Sequence, residues 1–131
     1  MSQSDRRKHP RVKLNLAATL GVMVPEATFQ PRVHEATVLD LSERGAMIRS
    51  MLSADTYREL LHNPRYCRIS LTDEPDLPQR LIGKAVYFQP ITHPGMPTEY
   101  RIGLFFEEIA EADQTRIRAY IDKKLAEQES I

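Results

Sequence analysis

Residues 12–24 read Val-Lys-Leu-Asn-Leu-Ala-Ala-Thr-Leu-Gly-Val-Met-Val. Val12, Leu14, Leu16, Ala18, Leu20 and Val22 occupy every second position, so they share one face of a half-buried β-strand. The same period returns further on. Val33 to Leu41 forms a second strand beyond a loop bounded by Pro25 and Pro31, and Ala46-Met47-Ile48-Arg49 begins a third. Between Arg65 and Thr72, Cys67, Ile69 and Leu71 take one face while Tyr66, Arg68, Ser70 and Thr72 take the other. Leu81 to Phe88 and Tyr100 to Phe106 supply two more strands. A proline- and acid-rich loop, Asp73 to Pro78, precedes the first of these. Pro90, Pro94 and Pro97 place the stretch from Pro90 to Thr98 in a surface loop outside the sheet. Ala54, Tyr57, Leu60 and Leu61 have helical spacing ahead of Asn63-Pro64, which predicts a short helix over 53–63. In the tail, Ile109, Ile117, Tyr120, Ile121 and Leu125 form one apolar stripe on a helix over about 111–127. Asp113 is its one evident cap, and Lys123 and Lys124 lie toward its negative end. Six short strands and a helix that must bury its stripe predict a β-rich fold. The expected form is a six-stranded antiparallel β-barrel with the C-terminal α-helix packed on it.

At 131 residues the chain makes one domain, with 41% apolar and 27% charged residues, as in ordinary globular proteins. The formal net charge is zero, which argues against DNA or bulk nucleic-acid binding. The charge is uneven, however. Arg6, Arg7, Lys8, Arg11 and Lys13 against Asp5 give residues 1–13 a net +4, so the body carries −4. Residues 1–11 therefore read as a flexible basic arm, entering extended through His9-Pro10, and 12–131 as the folded domain. The single cysteine, Cys67, allows no internal disulfide and fits a reducing cytoplasm, where we expect the protein to act. Its place in a strand reads as a small buried residue. The polar N-terminus lacks the apolar core of a secretory signal, and no run reaches the ~20 apolar residues of a membrane span.

Two short motifs carry chemistry. Arg6-Arg7-Lys8-His9-Pro10-Arg11 sets three planar guanidinium forks on the arm. Each can grip a phosphate bidentately or read the O6/N7 edge of guanine. About 29 residues beyond Arg11 stands Asp40-Leu41-Ser42-Glu43-Arg44-Gly45, at a strand end. An ionised Asp40 accepts from N–H groups such as guanine N1–H and N2–H₂. Ser42 can donate to a phosphate oxygen or hold the turn. Gly45 allows a positive φ or a close approach of ligand to backbone. Taken singly, the first motif is also read as a solvated basic tail, and the second as a turn bonding its own backbone.

In order, Arg7-x-x-x-Arg11 and then Asp40-x-Ser42-x-x-Gly45 after a strand, the chain resembles the PilZ domain family. Arg6 before Arg7 and the Tyr100–Phe106 strand leading into a terminal helix extend the resemblance over roughly residues 6–126. The resemblance implies a six-stranded barrel that binds cyclic di-GMP and senses rather than catalyses. It implies that Arg6, Arg7 and Arg11 surround the guanines and phosphates, and that Asp40, Ser42 and Gly45 contact the ligand from the barrel surface. Family members often stack the ligand on a later aromatic. Tyr87 and Phe88 are the choices here, and strand alternation lets one of them face the site. Ligand binding would order the arm and change the surface read by a downstream protein partner.

Other classes are less well supported. His9, His34, His62 and His93 show no metal-ligand spacing, and no Gly-rich phosphate loop, nucleophile elbow or paired carboxylates suggest an enzyme. Glu107-Glu108 reads as a solvated pair at a strand end. A single-stranded RNA-binding barrel would want more than 7% aromatics and a body that is not acidic. The runner-up is a PilZ-type adaptor that binds protein without nucleotide. No cofactor or metal is expected beyond the ligand cyclic di-GMP, and no membrane insertion.

Overall fold

The structure, a computed structural model, describes residues 10–23, 32–62 and 66–129. Six strands close an antiparallel barrel: β1 (Val12–Val22), β2 (Arg32–Leu41), β3 (Gly45–Ser50), β4 (Tyr66–Ser70), β5 (Arg80–Ile91) and β6 (Glu99–Phe105), in the order β1-β2-β3-β6-β5-β4. Closure gives every strand a neighbour on both sides over part of its length, which shortens the free edges that an open sheet must protect. The period-2 pattern is what fills it. Val12, Leu20 and Val22 of β1, Cys67 and Ile69 of β4, and Ile102 and Leu104 of β6 all point inward and are buried. Burial pushes the Cys67 thiol pKa up to about 12, so it stays protonated and inert.

Two helices cover this core. α1 (Ala54–His62) starts at Ser53, whose hydroxyl accepts from the Thr56 N–H at 3.2 Å. It buries Tyr57 and Leu60, and Tyr57 stacks on Tyr100 of β6 with ring centroids 4.0 Å apart and meets Phe88 edge-on. α2 (Glu111–Glu129) buries Ile117, Tyr120 and Ile121, the centre of the stripe read from sequence. Each fully buried aliphatic side chain is worth about 1.5–3 kcal/mol, so this stripe holds the helix in place. The loop between β4 and β5 is its dock. Arg116 donates to the carbonyls of Pro75 and Leu77 at 2.8 and 3.1 Å, and the Tyr120 hydroxyl donates to Glu74 at 3.4 Å. Burial, then the Glu74 charge, pushes the Tyr120 pKa up to about 12.

Some sequence expectations are corrected. Asp113 lies inside the first turn with Glu111, not at the cap, and α2 runs past Lys123 and Lys124 to Glu129, leaving no base in its last turn. Pro90 lies within β5, paired to Tyr100 of β6, rather than in the loop. Among the described residues β4 pairs with β5 as far as Lys84 and none pairs with Pro90 on that side, so its missing N–H costs no described ladder bond. Glu107 is not simply solvated, because the Tyr66 hydroxyl donates to it and that bond raises the tyrosine pKa. Among the described residues, no helix is long and apolar enough to cross a membrane.

Candidate functional site

The Asp40–Gly45 turn joins β2 to β3 and is built by its own serine. Ser42 is 2% exposed, and its Oγ accepts from the N–H groups of Arg44 and Gly45 at 3.2 and 3.1 Å. The Ser42 N–H donates to the Gly45 carbonyl at 2.8 Å, and Phe106 N–H donates to the Arg44 carbonyl at 2.8 Å. The hydroxyl is thus fully engaged in shaping the turn. Asp40 stands just before it and is aimed by a β-bulge: β2 has an extra residue between Val38 and Asp40 relative to β3.

Arg11 reaches this carboxylate. Its Nη1 donates to Asp40 Oδ1 at 2.7 Å, with side-chain exposures of 44% and 27%, so the contact is accessible to solvent. The fold therefore brings together one residue of each motif across 29 positions of sequence. Arg6 and Arg7 lie outside the described residues. Beside the ion pair is a shallow cleft of about 470 Å³, bordered by Arg11, Arg44, Gly45, Met47, Tyr87 and Phe105.

Gly45 differs from expectation. Its φ is not positive; among the described residues that conformation belongs to Gly95 (φ 76°). Instead Gly45 opens β3 opposite Phe105 of β6, where a Cβ would overlap the carbonyl oxygen of Leu104. The glycine is required by the close approach of two strands.

The later aromatics separate cleanly. A second bulge, between Ala85 and Tyr87 on β5, breaks the alternation assumed from sequence. Val86 and Tyr87 both turn outward, 57% and 46% exposed, while Phe88 packs toward the core against Tyr57. Tyr87 crosses over Gly103 of β6 and donates its hydroxyl to Gln89 Oε1 at 3.2 Å. Its ring is available to a planar ligand in the cleft, and that of Phe88 is not.

Sequence reasoning missed Glu43. It lies inside the motif at a position open to any residue, yet it is 6% exposed. Its carboxylate takes a bidentate grip from Arg118 of α2, Nε at 2.7 Å and Nη2 at 2.9 Å, and accepts from Gln114 at 3.3 Å. These bonds raise the Arg118 pKa further above its basic value. No periodicity links residues 43 and 118, so only the assembled fold reveals the contact. Arg118→Ala should strip a mostly desolvated carboxylate of its bidentate, charge-assisted grip. The expected outcome is a melting temperature lower by a few degrees and faster amide exchange at Glu43–Gly45, with Arg118→Lys recovering part of both.

The model of the PilZ domain family matches residues 5–123, nine-tenths of the chain. This chain belongs to the PilZ domain family. Solved structures carry the same fold at low identity. The MrkH–c-di-GMP complex of K. pneumonia aligns with a TM-score of 0.69 at 16% identity, covering 95% of this chain and 55% of MrkH. The Bacillus subtilis inhibitor of motility MotI/DgrA aligns at 0.59 and 17%, covering 92% and 52%. The Borreliella burgdorferi PlzA protein in complex with c-di-GMP aligns at 0.57 and 10%, covering 95% and 55%. This PilZ chain thus spans about half the length of those proteins. No curated protein matches it.

Proposed function

We propose that this PilZ domain is a receptor for cyclic di-GMP. The observation that carries the reading is the Arg11–Asp40 contact of 2.7 Å, which unites the basic arm and the Asp-x-Ser-x-x-Gly turn at the rim of one cleft. Two fold relatives, MrkH and PlzA, are described in complex with c-di-GMP, which supports the same ligand here. In this reading Arg6, Arg7 and Arg11, on the arm of residues 1–11, grip phosphates and guanine edges. Asp40 accepts from guanine N–H groups, Ser42 and Gly45 keep the turn in shape beneath the ligand, and Tyr87 stacks on a base. The barrel of the domain supplies the wall against which the ligand orders the arm. Fixing each arm residue costs about 1–2 kcal/mol, and charge-assisted hydrogen bonds of about 1.5–3 kcal/mol each must exceed that.

The output is a changed surface around the arm, read by a protein partner. Val86 and Phe105 expose apolar area there, 57% and 41%, as a contact surface for such a partner. Isothermal titration of the full chain with cyclic di-GMP, with GTP as control, tests the receptor reading. Saturable micromolar or tighter binding of the cyclic dinucleotide alone is expected. Absence of heat, together with unchanged amide NMR shifts at Asp40–Gly45, would overturn it in favour of an adaptor that binds protein without nucleotide.

A further inference from the structure

The outer wall of the barrel carries a polar rung that neither motif includes. Arg49 of β3 lies directly opposite Arg101 of β6, Thr37 of β2 lies opposite Arg49 on its other side, and Gln89 of β5 lies opposite Arg101. Like charges directly opposite on adjacent strands are destabilising. Glu35 and Asp73 border a second cleft with Arg49, but the described ion pairs of the two arginines are with Glu99. Glu99 is the shared partner, at 3.4 Å from Arg101 Nε and a long 4.0 Å from Arg49 Nε. Two guanidinium groups on one carboxylate leave a net positive charge, and both are accessible, with side chains 44% and 40% exposed. A fold that needed only a ladder would be served by an opposite-charge or β-branched pair.

The rung lies one step along the strands from the residues that line the cleft. Met47 and Gly103 form the preceding outward rung, two residues or about 7 Å along the strands. Tyr87 spans the two rungs, with its Cβ over Gly103 and its hydroxyl on Gln89. A ligand with one guanylate unit at Asp40 and Arg11 would therefore extend past Tyr87 toward Arg101 and Arg49. Two paired forks in fixed strand register suit an acceptor-rich group such as a phosphodiester or the O6/N7 edge of guanine.

From this geometry we infer that Arg49 and Arg101 form a second subsite that receives the distal guanylate unit of the cyclic dinucleotide. The inference rests on the receptor reading above. Glu99 holds the two forks in place and weakens their field in the empty site.

Titration of the full chain with cyclic di-GMP, comparing the parent with Arg49→Ala, Arg101→Ala and Glu99→Gln, tests it, with thermal melts to show that each variant is folded. Arg49→Ala and Arg101→Ala should each weaken binding at least about tenfold, the effect of losing one charge-assisted hydrogen bond. Glu99→Gln, which keeps the shape and removes the competing charge, should tighten binding several-fold. If the parent binds and both arginine variants bind within twofold of it, the subsite is wrong while the receptor reading stands. If Glu99→Gln weakens binding as much as the arginine variants, the trio is a structural ladder and the subsite is likewise wrong. A parent that binds no cyclic di-GMP overturns both.

Discussion

Arg11→Ala is expected to weaken cyclic di-GMP binding by roughly 10–150-fold, as measured by isothermal titration, with little change in melting temperature. The affinity term follows from losing a charge-assisted hydrogen bond worth about 1.5–3 kcal/mol, at 1.4 kcal/mol per tenfold. The stability term is small because the Arg11–Asp40 pair is exposed, 44% and 27%, and exposed pairs contribute about 0–1 kcal/mol. That weakness serves the proposed mechanism. A strong internal ion pair would compete with the ligand for both groups, whereas this one is exchanged at little cost. A double-mutant cycle sharpens the test. If Arg11 grips phosphate while Asp40 receives guanine N–H groups, the double variant should bind clearly worse than either single one, with a coupling no larger than the about 0–1 kcal/mol of their exposed ion pair. If Arg11 only positions Asp40, the double variant should bind no worse than Asp40→Ala. An Arg11→Ala protein with parental affinity would remove the arm from the site.

What the sequence conveyed and what it did not divide along a physical line. Alternation is a local property, so β4, β6 and β1 outside its irregularity between Lys13 and Leu16 could be read residue by residue, and α1 ends at His62, within one residue of the 53–63 expectation. The motif spacing was also legible, since it needs only residue types and order. The bulges were not. Whether β2 has an extra residue before Asp40, or β5 before Tyr87, depends on the partner strand, and nothing within either segment marks it. Those bulges decide how Asp40 is aimed and why Tyr87 rather than Phe88 faces the cleft. Glu43 was hidden for the same reason, because its partners Gln114 and Arg118 are more than 70 residues away. Pro90 misled in the other direction. Exclusion of proline from sheets is a rule about hydrogen-bonded positions, and Pro90, which pairs with β6 and with no described residue of β4, escapes it.

Gly45→Ala tests which force placed glycine at the end of the motif. If Gly45 served ligand approach alone, an alanine there would leave the apo protein as stable as its parent and reduce only binding. The geometry predicts otherwise. The new Cβ would meet the Leu104 carbonyl, a backbone atom within the β3–β6 ladder that no rotamer change can move. Relief requires β3 to separate from β6 at the Gly45–Phe105 pair. That disturbs the Ser42–Gly45 bonds and the Phe106-to-Arg44 bond as well. Overpacking typically costs about 1–3 kcal/mol, and a backbone clash belongs at the upper end. For a domain of this size that lowers the melting temperature by roughly 10 °C, which calorimetry or a urea melt would register. Gly103→Ala is the informative comparison. Its Cβ would lie 2.9 Å from Tyr87 Cβ, a side-chain atom on a bulged strand that can shift. The expected result is a smaller loss of stability at Gly103 but a displaced Tyr87 and weaker ligand binding. Equal melting temperatures for Gly45→Ala and the parent would return this glycine to the ligand.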